Sequence, residues 1–295
     1  MPELPDITVY IEHLQSRIVG QPLEKLAIAK PFVLRSFDPP VSEIEGTIVR
    51  GVRRMGKRIV LAMDGERFIV IHLMIAGRLR WRTNGAKPPP KGSTLATFHF
   101  PNGVLVLTEA GTTRRASMHF VRGEAGLAEF DRGGLEVLDA TLAEFEARLR
   151  SENHTLKRAL ADPRLFSGIG NAYSDEILHR ARLSPVTLTS RLRDDDIARL
   201  FEATRATLSA WTERLRTEAG RNFPEKVTAF HEGMAVHGRF GEPCPVCGTK
   251  VQRIRYASNE TNYCARCQTG GKLLADRALS RLLGKDWPKS IDDIE

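Results

Sequence analysis

Two residues at the start of the chain could act together as a covalent catalyst. If Met1 is removed, Pro2 carries a free secondary amine, a strong nucleophile toward an aldehyde-like sugar carbon, and the Glu3 carboxylate lies beside it. Proline near a chain start is also a common signal for the beginning of a helix. Pro5 fits that second interpretation, because apolar residues follow at helical spacing, namely Ile7, Tyr10, Ile11, Leu14 and Ile18. The two interpretations are compatible, since a helix that begins here would fix the position of Pro2 and Glu3.

The four cysteines form two Cys-x-x-Cys pairs near the end of the chain. Between the pair Cys244 and Cys247 and the pair Cys264 and Cys267 lie 16 residues, and the sequence has no other cysteine. This spacing is typical of a zinc ribbon, in which two turns each present two thiolates to one tetrahedral ion. Four thiolates complete the coordination shell, so we expect one structural Zn²⁺. Two disulfides, or free thiols, are the alternatives.

The composition predicts a globular protein with a polyanionic partner. With 295 residues and 41% hydrophobic content, the chain can bury a substantial core and has room for about two domains. Lys and Arg number 44 against 36 Asp and Glu, and the resulting net charge of +8 favours a polyanion. No stretch approaches the roughly 20 apolar residues of a membrane span, and the N-terminus lacks the pattern of a signal peptide. We therefore expect a cytoplasmic protein with no membrane partner.

The first half of the chain, to about residue 120, is predicted to be a sheet domain behind the opening helix. Strands are expected at residues 26–28, 47–52, 58–63, 67–72, 94–100 and 104–108. Asp64-Gly65 and Asn102-Gly103 suit tight turns that join consecutive strands into hairpins. The proline-rich segment 85–92 cannot join a sheet and is expected to be a loop. Several strands at this spacing predict a sandwich or a barrel.

The second half is predicted to be mainly helical as far as about residue 219. A glycine-rich, acidic stretch at 122–134 has the composition of a linker, and Thr141 with Glu144 forms a capping box that begins a helix. The longest helix is expected to begin at Asp194. Between two helices, the segment Gly168-Ile169-Gly170-Asn171 could let backbone N–H groups approach a phosphate at a helix N-terminus. A simple turn between helices would give the same pattern.

The 28 residues after Cys267 contain a predicted amphipathic helix. The residues that define its apolar face are Leu273, Leu274, Ala278, Leu279, Leu282 and Leu283. From Gly270 onward the tail has five basic and five acidic residues, so we expect it to pack or to bind a partner and not to serve as an arm that binds the polyanion.

Motifs along most of the chain resemble the formamidopyrimidine-DNA glycosylase and endonuclease VIII family. They are Pro2-Glu3-Leu4-Pro5, Lys57 after Arg-Arg-Met-Gly, His72-Leu73, Gly168-Ile169-Gly170-Asn171-Ala-Tyr173, Val236-His-Gly-Arg239 and the four-cysteine ribbon. The resemblance implies an α+β fold with an N-terminal helix plus β-sandwich, a helical domain with a helix-two-turns-helix unit, and a C-terminal zinc ribbon. The expected bounds are 1–121 for the catalytic β-sandwich domain, 122–140 for the linker, 141–236 for the helical DNA-binding domain, 237–269 for the zinc finger and 270–295 for the helical tail.

The resemblance also implies a bifunctional DNA glycosylase and AP lyase that removes oxidised bases in base excision repair. Pro2 would attack C1′ of the damaged nucleotide and form a Schiff base, after which β- and δ-elimination would nick the strand. Glu3 would transfer protons around the sugar. Lys57 would contact a phosphate beside the lesion, although a lysine at the start of a strand is usually only solvated. The implied partner is damaged DNA, and the implied protein is a monomer of bacterial type, cytoplasmic and nucleoid-associated.

The same resemblance assigns further residues to DNA binding, namely His72, Met74, Arg114, Lys157, Asn171 and Asn259. Lys157 and Asn171 would contact backbone phosphates. His72 would lie near the damaged strand, but a structural hydrogen bond is an equally good explanation for this histidine. An apolar side chain at Met74 or Ile75 could fill the gap that a flipped base leaves.

The chain departs from the family pattern at three places. Asp6 stands where many members have Glu, and no aromatic residue follows Arg114 and Arg115 to complete the family's Arg-Arg-Phe wedge. In the ribbon, Asn259 replaces a phosphate-binding arginine, and Glu260 adds negative charge. These departures leave open a damaged-DNA-binding protein on the same scaffold with little or no turnover. Charge and ribbon alone would also suit an RNA-binding, ribosome-associated protein.

Overall fold

A computed structural model describes residues 1–36, 38–83, 92–111, 113–225, 227–228, 230–256 and 259–294. Residues 85–91 of the expected proline-rich loop lie outside the described residues. The chain divides into two units, the first comprising Met1–Arg132 and Trp211–Ala229 and the second comprising Gly133–Ala210 and Phe230–Glu295. In the described part of the chain, no helix has both the length and the apolar character needed to cross a membrane.

The first helix, α1 (Leu4–Ile18), begins where the sequence predicts and fixes the start of the chain. Glu3 and Asp6 form a capping box, in which the Glu3 backbone N–H donates to Asp6 Oδ2 at 2.9 Å. The buried face of the helix carries Tyr10, whose hydroxyl accepts a hydrogen bond from the Leu79 N–H at 3.4 Å. The helix ends before Gly20, which has a φ of +82°. The predicted beginning of this helix and its apolar face are confirmed.

The first unit contains a β-sandwich of eight strands within its described residues. The strands are β1 (Lys25–Ile28), β2 (Val49–Met55), β3 (Arg58–Met63), β4 (Arg67–His72), β5 (Gly77–Arg82), β6 (Thr94–Phe100), β7 (Gly103–Glu109) and β8 (Ser117–Arg122). They form two antiparallel sheets, in the orders β1-β6-β7-β5 and β2-β3-β4-β8. Apolar side chains from α1 and from both sheets share one core. Both predicted hairpins are confirmed, whereas β5 and β8 were not expected.

Helices dominate the middle of the chain. A short helix, α2 (Val41–Ile44), comes earlier in the chain, between β1 and β2. The helices of the middle are α3 (Gly123–Ala128), α4 (Leu142–Arg150), α5 (Leu156–Ala161), α6 (Asn171–Arg180) and α7 (Asp194–Ala219). The predicted capping box of α4 is present, because the Glu144 N–H donates to Thr141 Oγ1 at 3.3 Å and the Thr141 N–H donates to Glu144 Oε2 at 2.8 Å. Helix α3 lies in the expected linker, so that stretch is not wholly irregular.

The end of the chain forms a ribbon with a packed tail. The ribbon hairpin pairs β9 (Gln252–Tyr256) with β10 (Asn259–Tyr263), and two short helices follow, α8 (Ala265–Thr269) and α9 (Arg277–Leu283). Leu273 and Ile291 of the tail are buried in a cluster with residues of the ribbon. The predicted amphipathic helix is shorter than its leucine pattern, because α9 begins only at residue 277 and Leu282 is 80% exposed.

Candidate active site and nucleic-acid interface

The start of α1 places the chain terminus among charged side chains of the first unit. Pro2 is buried, and Glu3 is only 2% exposed. Burial lowers the pKa of the Met1 amine, and the charges that act on it are those of Glu3, Arg78, Asp6 and Lys57. The predicted nucleophile and carboxylate therefore occupy a buried, highly charged environment. Arg78 was not among the predicted site residues; the alternation of arginines with less exposed residues along β5 is the signal that could have identified it.

Lys57 and His72 belong to the same charged environment. Lys57 lies in the turn between β2 and β3, and burial lowers its pKa, an effect that Glu3 opposes and Arg58 reinforces. His72 ends β4 directly opposite Arg58 of β3. Burial, with the charges of Arg58, Lys57 and His119, lowers the pKa of His72 to about 4. His72 is therefore neutral at pH 7 and can act there only through a hydrogen bond or packing.

The loop between β4 and β5 presents the two apolar candidates for filling a gap in DNA. The loop is closed by a hydrogen bond of 2.9 Å from the Gly77 N–H to the Leu73 carbonyl oxygen. A Cβ atom on residue 77 would clash with that same oxygen, so the turn requires glycine. Met74 has a φ of +53°, a conformation that non-glycine residues rarely adopt. Ile75 is 65% exposed while Met74 is half-buried, so the assignment to Met74 stays a prediction.

A buried carboxylate organises the loop that carries Arg114. The N–H groups of Arg115 and Ala116 donate to Glu109 Oε1 at 2.9 and 3.1 Å, and Glu109 is 2% exposed. The Arg114 guanidinium donates to the Gly92 carbonyl oxygen at 3.0 Å. Glu109 thus fixes the backbone at Arg115 and Ala116, directly after Arg114. Sequence reasoning missed Glu109, because an acid at the end of a strand carries no local signal of such a role.

In the second unit, three of the predicted DNA-binding residues line one groove of about 760 Å³. They are Lys157, Asn171 and Asn259, and Arg158 and His154 line the same groove. Asn171 begins α6, and its Nδ2 donates to the Glu260 carbonyl oxygen at 2.9 Å. The start of this helix and the ribbon strand β10 are therefore joined directly at the groove. Asn259 is exposed there.

Lys157 has a buried counter-charge that the sequence did not reveal. Its Nζ lies 2.5 Å from Asp175 Oδ1 and 2.6 Å from the Asn171 carbonyl oxygen. Asp175 is 1% exposed, and its other oxygen lies 2.8 Å from Nδ1 of His237. These two partners hold the ammonium of Lys157 in place, and the Asp175 carboxylate offsets its charge. Its attraction for a phosphate is therefore weaker than the sequence suggested. Its assignment to phosphate binding stays a prediction.

Glu260 is also paired. Its Oε2 lies 3.5 Å from Arg253 and 3.3 Å from Arg255, both on the neighbouring strand β9. The repulsion of DNA that Glu260 was expected to cause is therefore reduced, because two arginines flank one carboxylate.

The four cysteines converge as the ribbon spacing predicts. Their Sγ atoms all lie within 4.8 Å of one another, with 4.0 Å between Cys244 and Cys267 and 3.3 Å between Cys247 and Cys264. A tetrahedral zinc site with Zn–S bonds of about 2.3 Å places sulfur atoms about 3.8 Å apart. A disulfide would need about 2.05 Å, and none of these four described cysteines forms one. The cluster thus fits a four-thiolate metal site and excludes the disulfide alternative.

Comparison with protein families matches three segments of the chain. Residues 1–115 match the formamidopyrimidine-DNA glycosylase N-terminal domain, residues 135–219 match the formamidopyrimidine-DNA glycosylase H2TH domain, and residues 241–270 match the zinc finger found in FPG and IleRS. The three segments follow the order of the sandwich, the helices and the ribbon.

Individual relatives match this chain over between half and nine-tenths of its length. The formamidopyrimidine-DNA glycosylase of Heliobacterium modesticaldum is 31% identical, over 91% of this chain and 100% of the relative. An uncharacterized formamidopyrimidine-DNA glycosylase-like protein of Mycobacterium tuberculosis is 39% identical, over 51% of this chain and 93% of the relative. Among solved structures, the Lactococcus lactis Fpg protein bound to THF-DNA and an inhibitor is 25% identical, with a TM-score of 0.80 over 91% of this chain and 100% of that chain. The same Lactococcus protein has also been solved with DNA that contains an abasic site.

Proposed function

Because the chain belongs to the formamidopyrimidine-DNA glycosylase and endonuclease VIII family, we propose that it is a DNA glycosylase of base excision repair that also has AP lyase activity. The proposed substrate is an oxidised base in DNA. The observation that carries the proposal is the environment of the chain terminus, where a half-buried amine feels the charges of Glu3, Arg78, Asp6 and Lys57. A protein that only bound DNA would need no such environment.

The nucleophile is the Pro2 nitrogen, which requires removal of Met1. Burial lowers the pKa of the Met1 amine, and Pro2, one residue further along, is itself buried. An α-amino group has an ordinary pKa near 8, so an appreciable fraction is already neutral and nucleophilic at pH 7, and any decrease in the pKa enlarges that fraction. Little further activation is needed.

The covalent steps follow from amine chemistry. The Pro2 nitrogen forms a bond to C1′ as the glycosidic bond breaks, and the base leaves with the bonding pair and a proton. Loss of the ammonium proton and opening of the sugar at O4′ give an iminium. This iminium acidifies the C2′–H, so removal of that proton expels the 3′ phosphate by β-elimination, and a second elimination expels the 5′ phosphate.

Glu3 and Lys57 have complementary roles in these steps. Glu3 is held by the capping box of α1 beside the amine, where it can deliver a proton to O4′ and exchange protons during the eliminations. Lys57 supplies positive charge toward the phosphate that leaves, and His72 lines the site as a neutral side chain. Arg78 adds a positive charge that disfavours protonation of the amine.

The second unit supplies the proposed contacts with the DNA backbone. Asn171 and Asn259 in the groove are proposed phosphate contacts, with Lys157 in support. The Sγ atoms of the four cysteines would hold one Zn²⁺, which would be structural because four protein ligands leave no open position. The phosphate contacts would offset the few kcal/mol that flipping a nucleotide out of the duplex costs.

The proposal is tested by incubating processed protein with duplexes that each contain one oxidised base or an abasic site. We expect release of the base and a one-nucleotide gap with phosphate at both ends. Lys57→Met should reduce strand cleavage while it leaves the folded sandwich intact, and Lys25→Met, at an exposed position of β1, is the matched control. Binding of the lesions without base release or cleavage would instead identify a damaged-DNA-binding protein.

A further inference from the structure

A buried histidine on α6 contacts the cysteine cluster from outside. Nε2 of His179 lies 3.3 Å from Sγ of Cys244. His179 is 6% exposed and Cys244 is 2% exposed, so water does not compete for this contact. The direction of the hydrogen bond is fixed by chemistry, because a metal-bound thiolate has no hydrogen to donate and the imidazole must supply one.

We infer that His179 is an outer-sphere hydrogen-bond donor to the Cys244 thiolate and that it slows the loss of zinc from the ribbon. The inference rests on the proposed zinc site. Four thiolates around one divalent ion carry an excess of negative charge, and a hydrogen bond donated to one of them disperses part of that charge. Partners of this kind orient the ligand and tune metal affinity.

The rest of α6 holds His179 in position. At the beginning of the helix, Asn171 is joined to the backbone of Glu260. In the middle, the Glu176 carboxylate accepts the N–H groups of Ala235, Val236 and His237 at 2.7, 2.9 and 2.9 Å. These contacts join the beginning and the middle of α6 to the ribbon and to the segment that precedes it, and so fix the helix from which the imidazole reaches Cys244.

A second contact anchors the opposite cysteine pair to the same region. Gln268 accepts the N–H of Cys264 at 2.8 Å and donates to the Leu183 carbonyl oxygen, just beyond α6, at 2.9 Å. Cys247, by contrast, is exposed. The two buried cysteines, Cys244 and Cys264, are therefore the ones that contact His179 and Gln268. His179 makes its contact from α6, directly to a sulfur atom.

The first experiment measures the rate at which excess chelator removes zinc from the full-length protein. His179→Leu removes the donor and should release zinc about tenfold faster. His179→Gln keeps an N–H donor and should stay close to the wild-type rate. His13→Leu, which removes a nearly buried histidine in the first unit, is the matched control and should not change the rate. Equal rates for His179→Leu and wild type would overturn the inference.

The second experiment needs no variant. Nitrogen NMR of the zinc-loaded wild-type protein reports the tautomer of His179, and the inference requires the Nε2–H form. A neutral ring that carries its proton on Nδ1 would overturn it, even if the leucine variant failed to fold. Wild-type protein that contained no zinc would contradict the zinc site itself, whereas zinc-loaded protein with the wrong tautomer would contradict only the role of His179.

Discussion

At the scale of single residues, Asp6 and Glu3 form one structural unit. Asp6 is 1% exposed and accepts the backbone N–H of Glu3, so the shorter side chain at position 6 caps α1 and holds the carboxylate beside the amine. The departure of Asp6 from the family pattern therefore has a structural explanation. It fixes the position of Glu3 at the beginning of α1.

The first prediction concerns Glu3→Gln. Loss of the carboxylate should reduce base release by about 10²- to 10⁴-fold, the usual contribution of a positioned acid or base. Cleavage of a preformed abasic site should fall far less, because the base has already left. Single-turnover assays on both substrates measure the ratio, with exposed Glu24→Gln as the control. Equal losses on the two substrates would show that Glu3 has no specific role in base release.

The second prediction concerns the pH dependence of stability at His72. The pKa of His72 is about 4 in the folded protein and near 6.5 in an unfolded chain. Between these values the unfolded state binds more protons, so this residue stabilises the fold less as the pH falls from 7 to 5. His72→Gln should therefore lose less stability over that interval than the wild type. Urea unfolding at both pH values tests this, and an identical pH dependence would mean that His72 titrates normally.

At the scale of elements, the sequence predicted helices and hairpins whose formation depends on interactions between residues close in the chain. The hairpin of β3 and β4 was evident because Asp64-Gly65 joins two apolar runs. Strand β5 was missed because its strand character depends on pairing with β7, although Arg78, Arg80 and Arg82 alternate with less exposed residues along it. Contacts such as Lys157 with Asp175 could not be predicted, because no spacing rule links a lysine to a carboxylate buried by tertiary packing.

The third prediction tests the turn after β4. Gly77→Ala places a Cβ against the Leu73 carbonyl oxygen, so the loop must shift at a cost of about 1 to 3 kcal/mol. Gly51→Ala is the matched control, since a Cβ at that position in β2 meets no atom within 4 Å. Thermal unfolding of both variants gives the comparison. Equal stability of the two would mean that the turn tolerates a side chain.

The fourth prediction tests the ribbon hairpin. Asn259 lies exposed in the groove, so Asn259→Arg should tighten binding to damaged and undamaged DNA alike. One added phosphate contact should steepen log K against log[salt] by about 0.9. Asn259→Gln, which adds length without charge, should leave the slope unchanged. If the arginine variant also left it unchanged, residue 259 would not face a phosphate.

At the scale of the whole molecule, the two units carry different parts of the proposed function. The first contains the terminal amine with its charged neighbours, and the second contains the groove and the cysteine cluster. The family could be inferred from sequence because its motifs are spread over both units. The net charge of +8 agrees with a polyanionic substrate, although it does not distinguish catalysis from binding.

The central claim is that the Pro2 nitrogen attacks the sugar, and borohydride trapping tests it most directly. Protein from which Met1 has been removed is incubated with abasic-site DNA and borohydride, which reduces an iminium to a stable covalent bond. Peptide mapping of the complex should then place the DNA on Pro2. A cross-link on a lysine, or no cross-link from correctly processed protein, would contradict the account.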